Sequence, residues 1–205
     1  MNLEGVEFTE WEAVMDNEPG NYWSSRELQY YSLKNMNNIG TNNSVFLFLS
    51  DTSTHGGKHY AGDEWDKLEL SDLLKEIENH AMSTAQYFLD KGVDVHQFEI
   101  GNEVDTGIAG YTIGEKGIPD NLYILDFETM KAELWHYHIE VFKAATKGIK
   151  SVRPDAKIAL HIVGMGDFDR ISYTLEFYDY MIENGVEFDV IGLSYPYLSH
   201  QQEIP

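Results

Sequence analysis

The sequence predicts an α/β fold of parallel βα units, and three observations carry that prediction. Four short apolar runs, VFLFLS (45–50), VHQFEIG (95–101), KIALHIVG (157–164) and FDVIGLSY (188–195), read as strands. The segments between them are long and repeat their apolar residues at helical spacing, as crossovers between parallel strands require and hairpins do not. The joins into the strands, KGVDVH, RPDAKI and NGVEFD, are short, whereas the loops leaving them, SDTSTHGGKHYAGDEW and NEVDTGIAGYTIGEKGIPDN, are long, polar and aromatic. In α/β folds ligands sit at the C-terminal ends of strands, where long loops leave the core undisturbed.

Taken in order, SSRELQYYSLKNMNNIG (24–40) reads as a helix delivering the chain to the first strand. After that strand, Leu70, Leu73, Leu74, Ile77, Ala81, Ala85, Phe88 and Leu89 form one apolar stripe that stops at Gly92. A second helix opens at Asp126 as N-cap, carries Glu in its first turns, and closes on basic residues before Pro154. A third is expected from Ser172 to Gly185. The order is αβαβαβαβ, with no internal domain boundary, so residues 1–205 are expected to form a single domain.

Composition narrows the function. With 35 acidic against 14 basic residues the net charge is -21, which repels phosphate backbones and anionic membrane surfaces. Nucleic acid and membranes are therefore not expected partners, while a neutral polymer such as carbohydrate meets no such penalty. No cysteine is present, which excludes disulfides and thiolate metal sites. The N-terminal stretch MNLEGVEFTEWEAVMDNEPG has neither the basic start nor the apolar core of a secretory signal, and no apolar stretch approaches the roughly 20 residues of a membrane span.

Polar groups cluster at the strand exits: Ser50 and Asp51, Asn102 and Glu103, His161, and Ser194 and Tyr195. Singly each has a plain structural reading. Asp51 suits a turn, His161 a satisfied core position, and Tyr195 a large aromatic with its hydroxyl turned to water. Glu103 stands at the mouth of a buried strand beside an amide, among Tyr and Trp; desolvation there would raise its pKa and keep a proton for general acid work. The plain alternative is a loop carboxylate capping the next turn.

The string IGNEV, with SDT after the preceding strand, the His of IALHIV, and GLSYPY, resembles the retaining glycoside hydrolases built on a (β/α)8 barrel, whose fourth strand ends in Asn-Glu. More narrowly it is similar to the family 53 endo-β-1,4-galactanases over residues 25 to 200. The resemblance implies a partial (β/α)8 TIM barrel, strands three to six with their helices. It implies Glu103 as acid/base, Asn102 as the amide that binds the sugar hydroxyl beside the scissile bond, and Asp51, His161 and Tyr195 as substrate-binding positions. An oligo- or polysaccharide substrate and an extracellular site are implied in the same way; no cofactor is expected, no metal is required because two carboxylates suffice for the chemistry, and no D-x-D-x-D-G string supports a loop calcium. Phe46 and Phe48 stand where the family pattern has Asp and His, and Ser53 and Gly110 where it has tryptophans; Trp65, Tyr60 or Tyr111 are the alternative stacking residues.

Retaining hydrolysis needs a second carboxylate roughly 5 Å from the first. In the family it ends strand seven, and no acid of this sequence matches it; Glu203, before Pro205, is a poor candidate. The chain is accordingly expected to be an internal fragment lacking the first two and last two strands, with little or no activity alone and with exposed edges prone to self-association. Two other readings stay open: a carbohydrate-binding protein that keeps the cleft without the nucleophile, and an open doubly wound domain. Against the last, no strand is followed by a G-x-G-x-x-G or P-loop string.

Overall fold

The structure, a computed structural model, describes residues 26–34, 42–47, 49, 65–163 and 168–194. Helix α1 (Arg26–Leu33) precedes strand β1 (Asn43–Leu47). A 3-10 turn at Trp65–Lys67 leads to α2 (Leu70–Asp90) and β2 (Val95–Ile100). The excursion after β2 holds a 3-10 turn (Val104–Thr106) and a small antiparallel hairpin, β3 (Gly107–Ile108) with β4 (Tyr111–Thr112). Then come α3 (Phe127–Met130), a π-helical turn (Lys131–Trp135), α4 (His136–Val152), β5 (Lys157–Val163), α5 (Phe168–Glu183) and β6 (Val190–Ser194).

The main sheet is wholly parallel in the order β1-β2-β5-β6, so each strand lies beside the next one in the chain. Right-handed crossovers in that order carry every helix to the same face. Burial agrees: Val45, Leu47, Phe98, Ile100, Ile158, Leu160 and Ile162 are fully covered, whereas Ser44, Phe46, Gln97, Glu99, His161 and Ser194, on the opposite face, stay partly accessible. A doubly wound sheet reverses its strand order and covers both faces. One helix-covered face and one polar face instead make this sheet part of a (β/α)8 barrel wall.

The predicted caps and stops hold where the structure describes them. Asp126 caps α3, accepting from the Thr129 N–H at 3.2 Å and the Thr129 hydroxyl at 2.8 Å. The Gly92 and Gly185 N–H groups close their helices onto the Leu89 and Ile182 carbonyls. Helix α5, however, begins at Phe168, a turn before Ser172; Ser172 is an exposed surface position within the helix, not its cap. The hairpin β3–β4 was also not foreseen, because strands of two residues carry no period to read.

Helices α2 and α4 pack directly against one another through the apolar stripes Leu73, Ile77, Ala81, Ala85, Phe88 and Ile139, Phe142, Ala145, Ile149. Gly148 sets how close they come: a Cβ there would lie 2.3 Å from the Glu78 carbonyl oxygen and 2.9 Å from Ala81 Cβ. Alanine outranks glycine in a helix by about 1 kcal/mol. Backbone cannot yield as a flexible side chain does, so Gly148→Ala is nevertheless expected to lower stability, by about 1–3 kcal/mol in urea unfolding.

At the free side of β1 the Gln29 amide stands in for a neighbouring strand. Its Nε2 donates to the Phe46 carbonyl at 2.8 Å, and its oxygen accepts from the Phe46 N–H at 2.6 Å. On β6 the helix-side residues Ile191 and Leu193 remain 52% and 46% exposed.

Candidate active site

At the exit of β2 the backbone turns sharply. Gly101 has φ 72°, and a Cβ on it would fall 2.3 Å from Val104 Cγ1, so glycine is required twice over, by conformation and by space. Its N–H donates to the Leu47 carbonyl at 2.8 Å, the last tie to β1. Glu103 follows at φ 50°, ψ 51°, a left-handed conformation that costs a residue with a Cβ roughly 1–2 kcal/mol. Its side chain makes no capping bond to the 3-10 turn that follows, so the plain capping reading of this carboxylate fails.

The turn is held by donors from five other elements. His138 Nε2 lies 2.6 Å from the Val104 carbonyl oxygen. The Asp105 carbonyl accepts from Trp135 Nε1 at 3.1 Å and from the Tyr173 hydroxyl at 3.0 Å. Asp105 Oδ1 accepts from the Val163 N–H at 2.9 Å, which ties the turn to the end of β5. Thr112 Oγ1 closes the far side by donating to the Thr106 carbonyl at 2.9 Å. Trp135 ends the π-helical turn and His138 follows three residues later, so both reach the loop from one side of the helix. The strained Glu103 backbone is thus fixed by its surroundings, as strain at a working site must be.

Burial sets the charge of these groups. Asp105 is pushed up to about 6, chiefly because burial disfavours its carboxylate; the Val163 N–H and the Tyr173 hydroxyl pull the other way, and the Glu103 charge adds to the rise. His138 is pushed down to about 4 by complete burial, which keeps it neutral despite the carbonyls of Val104 and Leu134. With the closer contact at Nε2, the neutral ring carries its proton there and donates to Val104. His161 moves upward: burial opposes its charge, but the neighbouring Glu99 carboxylate outweighs that, and Glu103 and Asp105 reinforce it.

Asn102 and Glu103 are both half-buried at the β2 exit, and the Glu103 charge reaches His161 on the adjacent strand β5. Asp51 and Tyr195 lie outside the described residues, as do Tyr60, Phe48 and Ser53. Neither remaining candidate for sugar stacking is available. Trp65 is 7% exposed and meets His80 edge-on, while Tyr111 is 6% exposed and stacks on Tyr137 at 4.1 Å. Gly110, in the hairpin turn, is buried too. Among the described residues no group of three or more His, Asp or Glu is placed to hold a metal ion, and no helix is long and apolar enough to cross a membrane.

The residues that hold the turn were not singled out in the sequence. Trp135, His138 and Phe142 do recur at helical spacing on one apolar face, and a histidine on such a face signals a buried donor. Glu99 carried a signal as well: Gln97 and Glu99 alternate with Phe98 and Ile100, which assigns them to the opposite face of the strand.

Against known proteins, the family described as Glycosyl hydrolase family 53 matches residues 8–204. The chain is 25% identical over 162 residues to a protein of Aspergillus tubingensis named probable arabinogalactan endo-beta-1,4-galactanase A, a match covering 76% of this chain and 41% of that one. It is 28% identical over 134 residues to an uncharacterized protein in the bgaB 5' region of Niallia circulans, covering 64% of this chain and 32% of the other. The chain thus spans well under half the length of these relatives. Among solved structures, the Ignisphaera aggregans GH53 catalytic domain superposes with TM-score 0.62 at 21% identity, over 82% of this chain and 41% of that one. A structure of two fungal beta-1,4-galactanases gives TM-score 0.61 at 20% identity, over 86% and 49%.

Proposed function

We propose, from the premise that this chain belongs to glycosyl hydrolase family 53, that it carries the acid/base half of a retaining glycosidase site acting on a β-linked plant galactan. The observation that carries this reading is the β2 exit, where Asn102 and Glu103 follow a glycine whose conformation and close approach to Val104 disfavour any side chain, in a strained turn fixed by buried donors. A carboxyl group held there at the open end of the sheet can donate a proton to a departing glycosidic oxygen, then take one from the water that frees the glycosyl enzyme. Asn102 binds the sugar hydroxyl beside the scissile bond. His161 lines the same site, with Asp51 and Tyr195 assigned to substrate by their sequence positions alone.

The four parallel strands take the place of strands three to six of the barrel. The attacking carboxylate, which ends strand seven in the family, comes from none of the acids in this sequence. Purified as 205 residues, the chain is therefore expected to release no reducing ends from β-1,4-galactan, and measurable release would refute that division of the site. The exposed apolar side chains Ile191 and Leu193 of β6 are where self-association would start. In a protein carrying this segment together with the strand-seven carboxylate, hydrolysis of β-1,4-galactan in preference to xylan or mannan is the direct test. A neutral substrate suits a chain of charge -21.

A further inference from the structure

On the polar face of the sheet three side chains from neighbouring strands form one diagonal line. His161 Nδ1 lies 2.6 Å from Glu99 Oε1, and His161 Nε2 lies 2.7 Å from Ser194 Oγ. The register explains the diagonal. Glu99 pairs with Ala159, one rung below His161, and Ser194 pairs with Val163, one rung above. Opposite His161 stands Gly192, where a Cβ would come within 3.1 Å of His161 Cβ and 3.3 Å of its Cγ, so the missing side chain makes room for the ring.

The arrangement is enclosed: the His161 and Glu99 side chains are 14% and 15% exposed. The Glu99 oxygen and the ring Nδ1 are both shut off from solvent, and neither makes a well-directed hydrogen bond with any other described group. Their contact is one of charge. A buried carboxylate whose only near partner is an imidazole is stabilised when that imidazole is protonated.

We propose that Glu99 and Ser194 are positioning residues that hold His161 as a fixed imidazolium beside the Asn102–Glu103 turn. The Nε2 proton goes to the Ser194 hydroxyl oxygen while Nδ1 faces the Glu99 charge, so a flipped ring loses both contacts. The groups facing His161 are Glu99 from β2, Glu103 and Asp105 from the turn, and Ser194 from β6. Tyr178 of α5 donates to the Leu160 and Gly192 carbonyls at 2.9 and 3.0 Å and so clamps the backbone on either side. Lys157, the cation of the same strand, is at its exposed opposite end. The predominance of carboxylates around the ring favours its positive form.

The consequence deepens the glycosidase reading and rests on it. When Glu103 passes its proton to the leaving oxygen it becomes a carboxylate, and a fixed positive charge nearby stabilises that product of proton transfer without reorganisation. Nothing need move, because Glu99 has already been placed to hold the charge.

The test reads the ring directly by ¹⁵N NMR of the imidazole nitrogens in this chain across pH 5 to 9. His161 is expected to titrate above the ordinary histidine value, with both nitrogens protonated below its midpoint. Glu99→Gln should lower that midpoint by at least one pH unit, and Ser194→Ala should change the Nε2 signal with Nδ1 little altered. A parent His161 that titrates at or below the ordinary value overturns the proposal, and this measurement needs no variant to fold. A midpoint indifferent to Glu99→Gln, in a variant with parental circular dichroism, overturns it as well. In a catalytically complete protein Glu99→Gln should lower kcat with little change in KM and narrow the alkaline side of the pH profile, and Glu99→Asp should partly restore both. If His161 titrates as expected and a catalytically complete protein does not hydrolyse galactan, the positioning of His161 stands and the glycosidase reading falls.

Discussion

Glu103→Gln is expected to lower kcat/KM on β-1,4-galactan by about 10²–10⁴-fold in a protein that also supplies the attacking carboxylate, with galactan binding largely kept. Glutamine has the same length and the same left-handed backbone cost, so the turn at φ 50° is not disturbed further. Among the described residues no salt bridge reaches Glu103, and the charge it loses is one of several carboxylates supporting the positive form of His161, of which Glu99 is the nearest. What disappears is the transferable proton. A substrate with a good leaving group, such as an aryl galactoside, needs no such proton for the first step and should lose far less. Equal losses on both substrates would point to a misfolded loop instead of a missing acid, and undiminished turnover of galactan would remove Glu103 from the mechanism.

The fold was legible in the sequence because its signals are periodic. The runs at 95–101, 157–164 and 188–195 each contain one strand of the parallel sheet, the run at 45–50 overlaps the first strand, which begins two residues earlier, and the helix stripes gave the crossovers. Ser172 misled because a serine serves equally as a cap and as an exposed helix position, and only packing distinguishes them. At the site, the Asn102–Glu103 pair could be read from its place after a strand and a glycine. The groups that fix it could not. Trp135, His138 and Tyr173 meet the Val104 and Asp105 carbonyls through bonds spanning 30 to 68 residues of sequence, and no local pattern encodes such distances. The Glu99–His161–Ser194 diagonal depends likewise on strand register, which emerges only once the sheet has formed. Asp105 was not singled out in the sequence, because only its burial gives it a role.

That burial gives the other large expected effect, in stability against pH. Asp105 has a folded pKa of about 6 against 3.8 unfolded, so the fold holds its proton more tightly. The stability it contributes is complete below 3.8 and is lost as pH rises through 6, leaving the folded state roughly 3 kcal/mol worse off at neutral pH. His138 has the opposite sign. Its folded pKa is about 4 against 6.5, so its contribution is complete above 6.5 and is lost as pH falls through 4, again roughly 3 kcal/mol. Between about pH 4 and 6 the two slopes oppose and nearly cancel. His161 titrates above that window, and because the Asp105 charge supports its positive form, Asp105→Asn also lowers the His161 midpoint slightly. Asp105→Asn keeps an oxygen to accept from the Val163 N–H and removes the ionisable group. The variant should therefore be more stable than the parent at pH 7.5, by up to about 3 kcal/mol, and should lose that advantage steadily down to pH 4 as His138 acts alone. Urea unfolding at intervals from pH 4 to 8 measures both. An Asp105→Asn variant that is weaker than the parent at pH 7.5, or that keeps the parent's flat profile below pH 6, would mean that the Asp105 carboxylate is stabilised where it sits and does not oppose the fold that buries it.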